Sequence, residues 1–189
     1  ALVELMFTRF PLGRVFDVLE LEPIRDRFGI ESGDLLLMRE KFLEAGVRWG
    51  YDIAHREEAG LPPYPHCSWR YGMDRILLGI ALADETEEMF EDIAPADGME
   101  GAEARAAGRV MEIVRLLGEL RTDLQNPRSL ADWAETLRRM AAQFLPENGL
   151  LELQTVFARL EEIGAQTNIS QPMPLRTVHL WIEDALLYS

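Results

Sequence analysis

Lysine is almost absent from this sequence. Of its 19 basic residues, Lys41 alone is lysine and the rest are arginine. Lys41 lies within Arg39-Glu40-Lys41-Phe42, and no G-x-x-x-x-G-K-[ST] loop exists anywhere, so the chain carries no phosphate-cradling device for ATP. Cysteine is scarcer than most types: Cys67 is the single one. That excludes an internal disulfide and agrees with a reducing, cytoplasmic setting. Long apolar runs are missing too. None approaches the roughly 18 residues a membrane span requires, which points away from membrane partners. Ala1 to Phe10 lacks the basic start and apolar middle of a signal peptide. The sequence opens on Ala1 rather than Met, and we expect a single helical domain, 1–189, excised from a larger subunit.

Positive charge of any kind is in deficit. Nineteen Lys+Arg stand against 33 Asp+Glu, a net charge of −14. Nucleic-acid binders ordinarily show a basic footprint, because phosphates are neutralised by Lys and Arg. A DNA contact would need a local patch, or a place inside a larger positive assembly. With acids in such excess, ion pairs within the chain are the expected use of the arginines.

Hydrophobic residues make up 48% of the chain, ample for a core. Their dominant period is helical. Leu12, Val15, Phe16 and Leu19 follow i, i+3, i+4, i+7 behind Pro11. A short turn of helix through Phe28 follows Pro23. Ser32 is placed to cap a helix carrying Leu35, Leu36, Met38, Phe42 and Leu43, stopped by Gly46. Tyr51 to Ala59 suits a short polar helix, and Gly60 to Pro65 a rigid extended loop. Ser68 is placed to cap a helix with Trp69, Met73, Ile76, Leu77 and Ile80 on one face. From Asp84 to Glu103 there are nine acids and no base, which reads as a solvated loop. Helices are then expected over Ala102 to Leu124, from a Ser129-Leu130-Ala131-Asp132 capping box to Pro146 with Trp133, Leu137, Met140, Ala141 and Phe144, over Leu150 to Ile163, and over Pro174 to Leu187 with Val178, Trp181, Ile182, Ala185 and Leu186 inward. No repeat, parallel-sheet pattern or Asn-Gly hairpin appears. The expected class is all-α, an irregular multi-helix bundle, with a possible subdivision into 1–83, an acidic loop 84–101, and 102–189.

Several residues invite a chemical reading. His55, His66 and Cys67 are metal-ligand types, but zinc sites use four ligands in paired spacings, and one is missing here. Cys67 beside His66 is a poor nucleophile pair, and a buried, unreactive thiol is the expectation. The acid run lacks a D-x-D-x-D-G spacing for calcium, and two-metal chemistry favours rigid elements over loops. No catalytic, cofactor or metal residue is assigned. Two Trp-centred boxes remain, Val47-Arg48-Trp49-Gly50 and Ser68-Trp69-Arg70-Tyr71-Gly72-Met73-Asp74-Arg75-Ile76-Leu77-Leu78-Gly79. Arg48, Trp49, Trp69, Arg70 and Arg75 are candidates for a DNA-strand or interdomain surface, since bases stack on Trp and Arg. The competing expectation is that the Trp rings anchor the core and the arginines pair with nearby acids.

These two boxes resemble those of RecC, the gamma subunit of bacterial exodeoxyribonuclease V. The resemblance extends to Arg9-Phe10-Pro11-Leu12 with Val15 to Glu20, to the Ile24 to Phe28 and Leu35 to Leu43 passage, and to Ile93-Ala94-Pro95-Ala96-Asp97 with Glu100-Gly101. The family's tyrosine in that last stretch is Ala96 here. The resemblance implies the helical accessory (2B-like) region of a UvrD/RecC-like, superfamily 1 helicase fold without ATPase motifs. It implies a noncatalytic scaffold, working with RecB-like and RecD-like partner subunits that use ATP and Mg. Duplex and single-stranded DNA would be handled through the full complex, in double-strand-break repair and recombination. Alternatives are a stand-alone acidic interaction module, or the accessory domain of another UvrD/AddB-like helicase.

Overall fold

Ten helices and no strand are found among the described residues of the computed structural model, which are 1–82, 89, 90, 92–167 and 171–187. They are α1 (Leu2–Met6), α2 (Leu12–Leu19), α3 (Glu22–Phe28), α4 (Ser32–Glu44), α5 (Ile53–Glu58), α6 (Trp69–Leu82), α7 (Gly101–Leu124), α8 (Leu130–Phe144), α9 (Glu147–Thr167) and α10 (Leu175–Leu187). The all-α expectation holds. Two isolated bridges, Phe90 with Ile93 and Arg128 with Met173, are the only extended pairings among these residues. The chain forms two compact units. One comprises 1–21 and 28–118, the other 22–27 and 119–189.

In the first unit, Pro11 holds an extended backbone and α2 follows it. Leu12, Val15, Phe16 and Leu19 are all buried, as their spacing requires. Below them Phe16, Phe42 and Trp69 form an aromatic cluster, with Trp69 centred 6.2 Å from Phe16 and 5.5 Å from Phe42. Such pairs add about 0.5–1.5 kcal/mol each beyond the area they bury. The short α1 was not anticipated; five residues hold too few periods to register.

Several expected positions move. α4 begins at Ser32, with Glu31 in the cap position, so Ser32 is its first residue rather than its cap. Leu35, Met38 and Phe42 are buried, but Leu36 and Leu43 are exposed. Those two lie seven residues apart, on a second line of the helix about 100° from the first. In α6 the buried line is Trp69, Gly72, Met73, Ile76 and Gly79. Leu77 falls outside it, on the face shared with Arg70 and Asp74, and is exposed. Ser68 does cap α6, accepting the Tyr71 N–H at 3.2 Å. The acidic stretch is not simply solvated. Residues 84–88 and 91 lie outside those described. Of the rest, Met99 is buried, and Glu103 belongs to the first turn of α7.

In the second unit α8 packs mainly along α9, and α10 packs on both. Ser129 caps α8 by accepting the Asp132 N–H at 3.2 Å. Asp132 answers through its carboxylate, which accepts a hydrogen bond from the Ser129 hydroxyl at 2.6 Å, not from the backbone N–H a capping-box Glu would reach. Trp133 is fully buried and its indole N–H donates to the Met173 carbonyl at 2.8 Å. This ties the segment before α10 to α8. α9 runs longer than expected at both ends. On α10 Val178 is buried, whereas Trp181 and Ile182 are only half-buried. Ala185 and Leu186 lie outside the described side chains.

Candidate functional site

The residues that carry the two Trp boxes converge on one place in the first unit. A helix leaves its first N–H groups without intrahelical partners. Here the segment Val47 to Tyr51 supplies them for two helices at once. The Arg48 carbonyl accepts the Leu12 N–H that opens α2, at 2.9 Å. The Gly50 and Tyr51 carbonyls accept the Trp69 and Arg70 N–H groups that open α6, both at 2.9 Å. In return the Arg48 and Trp49 N–H groups donate to the Cys67 carbonyl at 2.9 and 3.1 Å, and the Gly50 N–H donates to Arg9 at 2.7 Å. Gly50 sits at φ 83°, a conformation that suits glycine. Three loops, around residues 9–12, 47–51 and 67–70, are thereby knotted together.

Trp69 closes the knot from inside. It is fully buried, and its indole N–H donates to the Phe10 carbonyl at 2.9 Å. Arg75 closes it from the middle of α6. Its guanidinium donates to the carbonyls of Ala94 and Ala45, each at 2.9 Å, and more weakly to Pro95 at 3.5 Å. The Ala96 N–H returns a bond to the Arg75 carbonyl at 2.9 Å. The Ile93-Ala94-Pro95-Ala96 stretch is thus docked on α6. Gly79 admits it: a Cβ there would collide with the Ala96 carbonyl oxygen.

Of the other three candidates, Arg48 and Arg70 are exposed and Trp49 is half-buried. Arg48 is exposed and donates to the Leu43 and Val47 carbonyls at 2.7 and 2.9 Å. Trp49 is half-buried beneath the Arg56 guanidinium, 4.2 Å from its ring centre. Arg70 is exposed and pairs with Asp74 at 3.4 Å. Of the three arginines, then, only Arg70 makes the expected pairing with an acid among the described residues. Arg48 and Arg75 satisfy backbone carbonyls, which no sequence period reports. Arg56 and Phe10 were missed for the same reason.

The ligand-type residues do not assemble. Among the described residues His55, His66 and Cys67 do not meet as a three-ligand group. His55 is buried, and its Nδ1 accepts the Tyr51 N–H at 3.1 Å. His66 is exposed beside the Tyr71 ring, 4.8 Å away. Cys67 is exposed, against the expectation of a buried thiol. Its φ of 68° bends the chain so that the carbonyl turns inward to Arg48 and Trp49.

Beside the knot lies a groove of about 440 Å³ between α5 and α6. Ile53, His66, Arg70, Tyr71, Asp74 and Ile93 are among the residues that line it.

The sequence relationships agree with the motif resemblance. The family model of the fourth domain of the RecBCD enzyme subunit RecC matches residues 1–188. The chain is 30% identical over 93% of its length to the RecBCD enzyme subunit RecC of Escherichia coli K12, of which it covers 16%. It is 31% identical over 69% of its length to the Mycobacterium tuberculosis H37Rv protein of that name, of which it covers 12%. The Mycolicibacterium smegmatis counterpart is 32% identical over 68% of the chain, again covering 12% of the relative.

Proposed function

Because this chain belongs to the RecC family and corresponds to its fourth domain, we propose that it acts as a noncatalytic scaffold in an exodeoxyribonuclease V gamma subunit. In this reading RecB-like and RecD-like subunits supply the ATP- and Mg-dependent unwinding and cleavage. The chain contributes architecture and a partner-facing surface, in the cytoplasm, to double-strand-break repair and recombination. A stand-alone interaction module is not favoured by the family match.

The observation that carries the scaffold reading is how Trp69 and Arg75 are used. A ring that stacks on bases must offer a free face to solvent. Trp69 is fully buried, and three backbone carbonyls engage the Arg75 guanidinium. The remaining candidates, Arg48, Trp49 and Arg70, sit on a chain of net charge −14, which opposes a polyanion.

Fluorescence anisotropy with a labelled single-stranded oligonucleotide, at low and at moderate salt, tests the reading. No binding at low salt is expected. Micromolar binding that weakens steeply with salt would overturn it and make this domain the wall of a strand path.

A further inference from the structure

We propose that the groove between α5 and α6 docks an apolar segment of a partner protein that carries arginine or lysine. This deepens the scaffold reading and rests on it, since a scaffold needs a surface for its partner. The groove volume, about 440 Å³, lies within the roughly 300–1,000 Å³ typical of ligand sites. It has room for two or three side chains of an extended peptide.

Its walls are apolar while its rim is acidic. Ile53, in the first turn of α5, remains 40% exposed, and Tyr71 and Ile93 continue the apolar lining. Around them stand the carboxylates of Asp74 and Asp92, and that of Asp52, which also caps α5 by accepting the His55 N–H at 2.9 Å, against the single guanidinium of Arg70. Arg70 already serves Asp74 at 3.4 Å, in a pair whose arginine is 66% exposed. Exposed pairs of this kind contribute little and exchange readily, so a partner guanidinium can take the Asp74 carboxylate. The long stem of such a side chain would cover Ile53 and Tyr71 while its head reaches the rim. A cation near the Tyr71 ring gains further attraction from the ring face.

Backbone hydrogen bonds hold the part of the rim that carries Ile93. Phe90 and Ile93 exchange backbone hydrogen bonds at 3.0 and 2.9 Å. Asp92, between them, takes a left-handed φ of 65°. Ile93 stands in the wall and Asp92 is exposed. A preformed site avoids the entropy of ordering on binding. Charge selects the class of partner. Three carboxylates to one guanidinium repel phosphate, and the −14 of the chain steers cationic protein surfaces toward it.

The test is anisotropy of a fluorescein-labelled nonapeptide of alternating arginine and leucine, titrated with the 189-residue chain. Binding in the micromolar range is expected. Asp74→Asn combined with Asp92→Asn should weaken it about tenfold, and Ile53→Ser should weaken it comparably, with thermal midpoints unchanged. Asparagine tolerates the left-handed conformation of Asp92, so the turn should survive. Equal affinity for the wild type and these variants would mean diffuse attraction to an acidic surface, and would overturn the groove. Absence of binding at low salt would overturn it as well. Self-association of the chain that Ile53→Ser abolishes would put a second copy in the groove instead. The oligonucleotide titration run alongside separates the two readings. Neither ligand binding removes the groove and leaves the scaffold, whereas DNA that displaces the peptide overturns both.

Discussion

Trp69 and Phe10 are joined across 59 residues of sequence by a 2.9 Å hydrogen bond from the indole N–H to the Phe10 carbonyl, with both rings fully buried. Phe10 itself stands at φ 52°, a left-handed backbone that a large residue rarely adopts. Such strain costs about 1–3 kcal/mol and persists only where the surroundings over-determine it. The indole bond, the Thr8 hydroxyl accepting the Phe10 N–H at 3.1 Å, and the neighbouring Gly50–Arg9 bond do so here. Trp69→Phe keeps an aromatic ring and removes the donor, so a loss of about 1–3 kcal/mol is expected. Trp69→Ala should cost about 3–5 kcal/mol. Urea denaturation followed by circular dichroism reads both. An unchanged midpoint for the alanine variant would refute the role as core anchor.

Arg75 acts as a clasp on the segment after the acidic run. Its guanidinium engages the carbonyls of Ala45, Ala94 and Pro95. Arg75→Met leaves those half-buried oxygens without their donor, and a loss of about 2–3 kcal/mol is expected. Arg75→Lys should recover only part of it, because an ammonium cannot span carbonyls a planar fork reaches together. Limited proteolysis provides the local readout. Cleavage within residues 92–99 should accelerate in both variants before the whole unit melts. A uniform change in cleavage across the unit would count against a local clasp.

In the second unit Arg138 lies between Glu161 at 2.7 Å and Glu135 at 3.0 Å. The Glu161 hydrogen bond, ahead of the opposing effect of burial, holds the Arg138 pKa above its ordinary value. A raised pKa on a cation adds stability that is complete below the unfolded-state pKa and is lost only as pH rises through the folded one. For arginine that window lies beyond the pH at which proteins survive, so this pair adds no pH dependence near neutrality. Its signature is ionic strength. Glu161→Gln should cost at most about 1 kcal/mol at low salt, since both side chains are a third to a half exposed. The difference from wild type should shrink on adding salt. A loss that salt leaves unchanged would point to packing rather than charge.

Periodicity made the longer helices of both units legible. Leu12, Val15, Phe16 and Leu19 read as one face and are one face, and Pro11, Ser68 and Ser129 mark helix starts where the chain makes them. The knot was legible only as a motif. Nothing in the order Val47-Arg48-Trp49-Gly50 announces that its carbonyls serve the first turns of α2 and α6. Backbone hydrogen bonds between loops leave no period in the side chains. The outward turn of Cys67 was hidden for the same reason: its position follows from a φ of 68° set by distant partners. Leu36, Leu43 and Leu77 mark a different limit. Each is apolar and helical, yet which of two adjacent helix lines faces the core is decided by neighbours, not by composition.

Two glycines in helices separate close packing from mere absence of a side chain. Gly79 in α6 and Gly108 in α7 both lie in helix interiors, where glycine is about 1 kcal/mol worse than alanine. Around Gly108 no heavy atom lies within 4 Å of where a Cβ would stand. Gly108→Ala should therefore stabilise by about 0.5–1 kcal/mol, through helix propensity and reduced unfolded-state entropy. At Gly79 the same change drives a methyl into the Ala96 carbonyl, which is backbone and held in place by the Arg75 clasp. The docked segment must move away, breaking the Ala96 N–H bond to Arg75, and a destabilisation of about 1–3 kcal/mol is expected. Thermal melting of the two variants measures the opposite signs directly. If Gly79→Ala melts at or above wild type, residues 94–96 pack less tightly on α6 than their hydrogen bonds require, and the assignment of Arg75 as their clasp falls with it.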